Sequence, residues 1–395
     1  MKKLLFAVLL ICAAAFGSCG SAAGPSGNIG NYGYVLVDGN DIYYTKVIIG
    51  EMDYYGNIYK YNTVDQTEIL VAETHVDYFS EMNAYLTLYN GYLYFLPYFL
   101  HDSVNESSPN IFRVIPDGKN TTPEPLLTYE ASITFMQITG GKLYFYDDFD
   151  EMLYSMNPDG TNHKIICEDI MFGISISGNR AYYTDYEMLS SVNLYGGQPK
   201  LIFDFSELED ESIYLENIIV DGNYVYYLSD DFSHIGRIGT NGRNKKNIYT
   251  AELNEYICFF NISGDTLFVV SEDYGEEENY AVIAVNIKDG SAREVVSASE
   301  NLGDILPLSI WGETIYFTGM PIYETIMDSD YVWFTVQKDG GSLAAWQPFN
   351  VVLEDWEAEY NWDFEYDYDD EEDFEDFEDF EEDDYDEEDR DFDDD

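Results

Sequence analysis

The chain has 395 residues and a formal net charge of −59, because 77 Asp and Glu stand against 18 Lys and Arg. This balance argues against a nucleic-acid partner, which needs clustered Lys and Arg, and against adhesion to anionic lipid through a basic patch. The 37 Tyr and 24 Phe favour pleated, half-buried surfaces, so a β-rich body with a large core is expected.

The first residues have the order of a signal peptide. Lys2 and Lys3 precede an apolar run at 4–16, which is too short to span a bilayer comfortably. Two small residues and Cys19 follow at once, an arrangement that resembles a bacterial lipobox. In a lipobox the cysteine thiol receives diacylglycerol, and cleavage leaves that cysteine as the new N-terminus. The alternative is an ordinary secretory signal that is cut nearby, with Cys19 incidental.

This N-terminus predicts a lipoprotein signal peptide at 1–18 and a flexible tether rich in Gly, Ser and Ala at 19–31. We therefore expect an exported protein, held by a lipid on Cys19 at the cell membrane or on the outer surface of a bacterium.

A short phrase recurs seven times along the chain. It consists of a turn with Gly, an aliphatic residue and then, in most copies, paired aromatics, as in DGNDIYY, NGYLYF and DGNYVYY. The interval between copies is roughly 40 to 50 residues, the length of a four-stranded propeller blade. The turn glycines are Gly39, Gly91, Gly141, Gly178, Gly222, Gly264 and Gly312. The first aromatics are Tyr43, Tyr94, Tyr144, Tyr182, Tyr226, Phe268 and Tyr316.

Each copy has the same neighbours. An apolar strand precedes the turn, a third strand often ends in Asp-Gly or Asn-Gly, and a short fourth strand follows. In the seventh copy the fourth strand is either SLAAW or FNVVL. A single blade cannot cover its own faces, so the pattern predicts an all-β, seven-bladed β-propeller of four-stranded antiparallel blades over 32–353. A β-sandwich or several small β domains would not require a phrase that recurs so regularly.

Two segments resemble blades of the low-density-lipoprotein-receptor-like β-propeller family, which bacteria carry as a domain of unknown function. They are AYYTDYEMLSSVNLYGGQPKLI and KLYFYDDFDEMLYSMNPDGTNHKII. Tyr182, Tyr183, Thr184 and Asp185 are similar to the Tyr-Trp-Thr-Asp signature of that family. The chain departs from it, because Trp is replaced in every copy and receptor propellers have six blades. The resemblance spans about 32–352 and implies the fold rather than a ligand.

The sequence lacks the motifs of common catalytic centres. It contains no G-x-S-x-G, H-E-x-x-H or C-x-x-C, so we predict neither a hydrolytic enzyme nor a zinc site. Pairs of carboxylates are expected by chance among so many acids, which leaves a propeller-fold hydrolase or lyase acting on extracellular polysaccharide as the alternative function. Cys167 and Cys258 lie in separate strand-like runs, which favours two free thiols over a disulfide.

Acidic loops follow the aromatic strand in three copies and raise the question of a calcium site. The candidate ligands are Asp147, Asp148, Asp230, Asp231, Glu272 and Asp273. None of these loops has the twelve-residue spacing of a calcium-binding loop, so solvated acidic loops are the favoured interpretation. No cofactor other than this Ca²⁺ is indicated.

The composition changes abruptly at the C-terminal end. Residues 354–395 are dominated by Asp and Glu, with Phe374, Phe377 and Phe380 at every third position. Like charges at this density repel one another, so a disordered tail is predicted. The tail either only solvates the protein or binds cations and basic surfaces.

These patterns together favour a protein- or glycan-binding scaffold module at the cell envelope. The expected partner is an extracellular protein or a glycan and not a nucleic acid. The membrane is expected to be contacted only through the N-terminal lipid.

Overall fold

The computed structural model describes residue 28 and residues 31–345, except 50–53, 77–81, 99–109, 129–130, 171, 186, 207–216, 230, 253, 274–278, 298–301, 306, 322–331 and 342. Every element within this part of the chain is a β-strand. No helix among these residues is long and apolar enough to cross a membrane. The predicted signal peptide, Cys19 and the acidic tail lie outside the described residues.

The strands form seven sheets, one for each predicted blade. Blades 1 and 2 contain β1 (Val35–Asp38), β2 (Asp41–Ile49), β3 (Tyr54–Asn62), β4 (Thr67–Ala72), β5 (His75–Val76), β6 (Met82–Tyr89), β7 (Tyr92–Tyr98), β8 (Phe112–Val114) and β9 (Glu124–Pro125). Blades 3 and 4 contain β10 (Ile133–Thr139), β11 (Lys142–Asp147), β12 (Met152–Met156), β13 (Lys164–Cys167), β14 (Phe172–Ser177), β15 (Arg180–Asp185), β16 (Met188–Asn193) and β17 (Lys200–Asp204).

Blades 5 to 7 follow in the same order. They contain β18 (Ile218–Asp221), β19 (Tyr224–Leu228), β20 (His234–Gly239), β21 (Lys246–Thr250), β22 (Glu255–Ser263), β23 (Thr266–Asp273), β24 (Asn279–Asn286), β25 (Ala292–Val296), β26 (Leu302–Ile305), β27 (Ser309–Trp311), β28 (Thr314–Pro321), β29 (Val332–Gln337) and β30 (Ala344–Ala345). All pairings are antiparallel, as the sequence predicted, and all but two join strands that are neighbours in the chain. The fourth strand of blade 7 is β30, within SLAAW.

Two blades carry a strand that is split into two pieces. In blade 1, β4 and β5 both pair with β3, and in blade 7, β26 and β27 both pair with β28. Each blade therefore keeps four strand positions. The seven repeated phrases are the second strands, β2, β7, β11, β15, β19, β23 and β28, which confirms their predicted place.

The turns that enter the second strands explain the repeated Gly. In five of them Gly is the first central residue, with φ of 58° to 62°, and a residue without positive φ follows, which is the type II′ arrangement. In blades 2 and 3 both central residues have positive φ, as at Asn90 (49°) and Gly91 (82°), which is type I′. Both turn types match the twist of the strands that they join.

The paired aromatics are adjacent on a strand, so their side chains point to opposite faces of the blade. Tyr226 packs in a cluster with Phe260 of blade 6, whereas Tyr227 packs with Phe205 of blade 4, at 5.1 Å between ring centroids. The other blades repeat this alternation. Each phrase thus supplies one side chain to the contact with the next blade and one to the contact with the preceding blade.

The first strand of each blade is innermost, because first strands of neighbouring blades contact one another, for example β14 with β18 and β18 with β22. Blade 7 meets blade 1 through two indoles. The N–H groups of Trp311 and Trp333 donate to the carbonyls of Val35 and Thr45 at 3.0 and 3.1 Å. Since every described blade is made of strands consecutive in the chain, the ring is closed by side-chain contacts rather than by a shared strand.

Candidate functional site

A segment before β1 reaches into the central channel. The side-chain oxygen of Asn28 accepts from the Ile310 N–H at 2.7 Å, and its Nδ2 donates to the Ile310 carbonyl at 2.8 Å. Nδ2 of Asn261 donates to the same Asn28 oxygen at 3.0 Å and to the Leu308 carbonyl at 2.6 Å. Asn28 is 2% exposed and Asn261 is 0% exposed. This buried amide cluster ties the segment to the first strands of blades 6 and 7.

The following residues contact the first strands of two blades on different sides of the ring. Asn31 donates to the Phe260 carbonyl of blade 6 at 2.7 Å. The carbonyls of Tyr32 and Gly33 accept from two backbone N–H groups of β6, in blade 2, at 2.5 and 3.1 Å. The segment therefore crosses the channel between blades 6 and 7 on one side and blade 2 on the other.

This crossing bears on one expectation from the sequence. Asn28 and Asn31, which the sequence places in a flexible tether at 19–31, are buried and hydrogen-bonded to the ring. In addition, the chain's own residues occupy the place that a ligand at the centre of the ring would take.

The two faces differ in the connections that they carry. We call the side with the turns between strands 1 and 2 and between strands 3 and 4 of each blade the turn face. It includes the seven repeated turn glycines. The opposite side carries the connections between strands 2 and 3 and between strand 4 and the next blade, and we call it the loop face. This division follows from the antiparallel order of the strands.

Basic residues are segregated to the turn-face half of the ring. All Lys and Arg between 31 and 345 except Lys46 lie in its turns or in the adjoining half of a strand. They are Lys60, Arg113, Lys119, Lys142, Lys164, Arg180, Lys200, Arg237, Arg243, Lys245, Lys246, Lys288, Arg293 and Lys338. Even Lys46 extends toward this half, since its Nζ lies 3.8 Å from Glu68 at the start of β4.

Some of these cations join successive blades. Lys60 of blade 1 donates to the Pro116 carbonyl of blade 2 at 3.2 Å, and Arg113 of blade 2 donates to the Pro158 carbonyl of blade 3 at 3.0 Å. Lys164 of blade 3 repeats the contact with a carbonyl of blade 4 at 3.3 Å. Three of the few cations thus connect a blade to a turn of the next blade, from blade 1 to blade 4.

The loop face is acidic. Its described carboxylates include Asp148, Asp150, Glu151, Glu168, Asp169, Asp185, Glu187, Asp204, Asp231, Glu252, Glu255 and Asp273. The sequence segments outside the described residues that connect strand 2 to strand 3, or one blade to the next, contain many Asp and Glu and no Lys or Arg. Phe149 is 84% exposed among these acids, and Met188 and Tyr256 are also exposed on this face. A strongly negative surface with apolar side chains results.

Asp147, the best placed of the candidate calcium ligands, has a structural role. It is 1% exposed, and its Oδ1 accepts from the backbone N–H groups of Ser132 at 3.0 Å and Phe149 at 3.2 Å. Burial raises the pKa of this carboxyl above its ordinary value of 3.8, although the backbone hydrogen bonds work in the opposite direction. The carboxylate caps the connection that follows β11.

The other candidate ligands lie on separate connections. Asp148 is exposed in blade 3, while Glu272 in blade 6 lies 3.7 Å from the Cys258 thiol. Burial opposes ionisation of Asp231 in blade 5, but hydrogen bonds from Ser229 and Ser233 lower its pKa overall. Asp273 ends β23, and Asp230 lies outside the described residues. Among the described side chains, no three of the His, Cys, Asp and Glu type are grouped closely enough to hold a metal ion.

Replacing Asp147 separates the capping role from a ligand role. Asp147→Ala should lower the free energy of unfolding by about 1 to 2 kcal/mol, because two partly buried backbone N–H groups lose their acceptor. Asp147→Asn keeps an oxygen in place and should unfold near the wild-type midpoint at pH 7. Because the folded-state pKa is raised, wild-type Asp147 favours folding more as the pH falls toward 3.8, and the Asn variant should lose this slope.

Urea denaturation of both variants at several pH values measures these effects. If Asp147 served Ca²⁺ instead, the Asn variant would unfold earlier than wild type only in the presence of the ion.

Cys167 and Cys258 are not joined in a disulfide, as predicted. Cys167 is buried, with its sulfur 3.6 Å from the Tyr183 hydroxyl, whereas Cys258 is partly exposed.

A polar position on the first strands was missed in the sequence. The residue opposite the first aromatic is polar in five blades, although its neighbours are apolar: Thr87, Gln137, Ser175, Asn261 and Ser309. Two of these side chains bridge to the next blade, since Ser175 accepts from the Val220 N–H at 3.1 Å and Asn261 donates to the Leu308 carbonyl. The signal was a polar residue inside an otherwise apolar phrase, as in GISI and FFNI.

No family model and no curated protein matches the chain. Solved structures do. A prolyl endopeptidase matches with a TM-score of 0.58 at 10% identity, over 81% of this chain and 51% of the endopeptidase, so the chain spans about half of that protein. Oligogalacturonate lyase of Vibrio parahaemolyticus matches with a TM-score of 0.51 at 11% identity, over 76% of this chain and 85% of the lyase.

A chain of a nidogen/laminin complex is also similar, with a TM-score of 0.43 at 12% identity, over 64% of this chain and 91% of that chain. At such identities a structural match shows the fold alone. The seven four-stranded blades and the first two of these matches establish that the chain folds as a β-propeller.

Proposed function

We propose that this protein is an exported, lipid-anchored propeller of the bacterial cell envelope, related to the low-density-lipoprotein-receptor-like family, that binds a positively charged protein through its loop face. The segregation of charge carries the proposal. Basic residues lie on the turn-face half, whereas the described part of the loop face presents carboxylates and no cation apart from Lys46, whose Nζ lies near Glu68.

The physical basis of recognition is electrostatic complementarity. A surface of one sign attracts a partner of the opposite sign over about a Debye length and speeds their encounter. Phe149 adds an exposed aromatic side chain among the acids, and aromatic rings contribute strongly to binding when a partner covers them. Since the channel holds residues 28 and 31–34, the partner is expected on the face and not at the centre of the ring.

Two sets of charge-neutralising substitutions test the loop face. The loop-face variant combines Asp148→Asn, Glu151→Gln and Glu252→Gln, all of which are exposed. Binding to immobilised poly-lysine should weaken by about tenfold at low salt, at roughly 0.5 kcal/mol for each exposed charge pair. The loss should shrink as salt is added, since screening removes the contribution of exposed charges.

The matched control removes the same charge from the turn face. It combines Asp65→Asn, Glu294→Gln and Glu313→Gln, which are also exposed. Both proteins keep the acidic tail, so the tail contributes equally to both measurements. An equal loss in the two variants would show that only net charge matters and would contradict a loop-face site. Measurable cleavage of a pectic polysaccharide by the wild-type protein would instead favour the lyase alternative.

Lipid anchoring is tested separately. In a bacterial host that processes lipoproteins, the mature protein should begin at Cys19 and carry diacylglycerol on its thiol, and intact-mass measurement detects this modification. Cys19→Ser should be released from membranes into the soluble fraction. A Cys19→Ser protein that stays with the membrane would show that the leader acts in another way.

A further inference from the structure

The turn face differs from the loop face in more than charge. Val64, Ile115 and Tyr195 are 71%, 51% and 75% exposed on its turns between strands 3 and 4. Exposed cations accompany them, among them Lys119 and Lys288, although both are paired with nearby aspartates. Apolar and aromatic side chains beside Lys and Arg are typical of surfaces that lie at a lipid–water interface.

The position of Asn28 shows where the chain enters the ring. Asn28 is bonded to Ile310, two residues before the turn glycine Gly312, whereas Tyr32 and Gly33 meet β6 farther from its turn. The segment therefore runs from the turn-face end of the channel toward the loop face, and β1 then returns the chain toward the turn face. Asn28 is the point of the described chain nearest to Cys19 in sequence.

The length of the intervening chain limits the orientation. Nine Cα–Cα steps separate Cys19 from Asn28, and they span at most about 32 Å when fully extended. If the loop face lay against the membrane, residues 20–27 would have to cross the width of one blade to the rim of the ring. They would then have to follow the outer strand from the turn face to the loop face. The three spacings between four strands, at roughly 4.8 Å each, and a six-residue strand of roughly 20 Å make that path about 34 Å. Chain length thus favours the orientation in which the turn face, and not the loop face, lies next to the membrane.

We propose that the turn face lies against the phospholipid bilayer that holds the N-terminal lipid, and that the acidic loop face points away from it. This inference rests on the proposed anchoring at Cys19. An anionic bilayer surface repels the loop face far more than the turn face, because the charges of the turn-face half nearly balance. Exposed side chains such as Tyr195 then lie at the level of the lipid headgroups. The binding surface is presented outward.

The test uses the chain from residue 19 with a hexahistidine tag directly before it, captured on vesicles that contain nickel-chelating and anionic lipids. Cys19→Ser, Cys167→Ala and Cys258→Ala remove the native thiols. A single dye is then attached at Tyr195→Cys on the turn face or at Phe149→Cys on the loop face, two positions of similar exposure. Energy transfer to acceptor-labelled lipid should be several-fold higher from the turn-face label.

Equal transfer from the two labels, or higher transfer from the Phe149→Cys label, would overturn the proposed orientation. A long Gly/Ser insertion after residue 19 removes the limit of length, and with anionic vesicles the turn-face label should still give the higher transfer. If the loop-face label then gave the higher transfer, charge would not support the orientation and the proposal would fall.

The tag replaces the lipid, so the measurement does not depend on processing in a bacterium. A native protein without diacylglycerol would refute the anchoring, whereas the vesicle result alone decides the orientation. A circular-dichroism melt of each labelled variant verifies that it is folded before capture.

Discussion

Asn28→Ala should lower the free energy of unfolding by about 3 kcal/mol. The substitution removes three buried hydrogen bonds, two with the backbone of Ile310 and one with the amide of Asn261. Each buried polar group left without a partner costs about 1 to 3 kcal/mol, and water has poor access to a cluster in which Asn28 is 2% exposed. The loss should appear as a lower urea midpoint, with tryptophan fluorescence from Trp311 and Trp333 reporting on the closure between blades 7 and 1.

Asn40→Ala is the matched control. Asn40 is exposed in the turn between β1 and β2, so its replacement should change the free energy of unfolding by less than about 0.5 kcal/mol. An Asn28→Ala protein with the midpoint of the control would mean that the segment does not stay seated in the channel in solution. The proposed orientation at the membrane would then lose its attachment point at the turn face.

The repeated phrases made much of the fold predictable. Paired aromatics such as Tyr226 and Tyr227 must serve two opposite blade contacts, and the Gly before them is required by a positive φ, so both signals recur wherever a blade recurs. The four-strand unit, the second-strand position and the number of blades follow from this repetition. A residue type that every blade requires at the same position is repeated along the chain, so it can be recognised in a single sequence.

Features that occur once in the chain were not predictable in the same way. The bonds of Asn28 join residues 282 positions apart, and no repeat marks them. A Gly/Ser/Ala-rich stretch predicts a flexible tether unless its few amides find buried partners, which only the closed ring supplies. The two indoles that close the ring carried a weak signal, since tryptophan occurs in the propeller only from the seventh copy onward.

The candidate site shows the same distinction. The acidic loops are evident in the sequence. Adjacent carboxylates in such loops indicate candidate metal ligands. Asp147 caps backbone N–H groups, and the remaining candidates are distributed over different blades. The charge segregation emerges only when every Lys and Arg is assigned to a turn or a strand half, which requires the strand order. The charge segregation is a property of a whole face of the ring and not of any one loop.

The contact between turns and neighbouring blades gives the other large effect. Gly242 lies in the turn between strands 3 and 4 of blade 5 with φ of 78°, and a Cβ there would collide with the Ile202 carbonyl oxygen of blade 4. Gly242→Ala should therefore cost about 3 to 4 kcal/mol, because backbone strain of about 1 kcal/mol adds to the displacement of a main-chain group. Either the turn or the edge strand β17 has to move.

Gly290 provides the matched comparison for this prediction. It occupies the corresponding turn of blade 6 with φ of 76°, but a Cβ there has no atom within 4 Å. Gly290→Ala should cost only the backbone strain, about 1 kcal/mol. Urea denaturation of the two variants isolates the contribution of the blade contact, since the left-handed backbone is common to both. Equal losses in the free energy of unfolding would show that the turn of blade 5 is not in close contact with blade 4. They would also contradict the view that the turn of each blade stabilises the preceding blade.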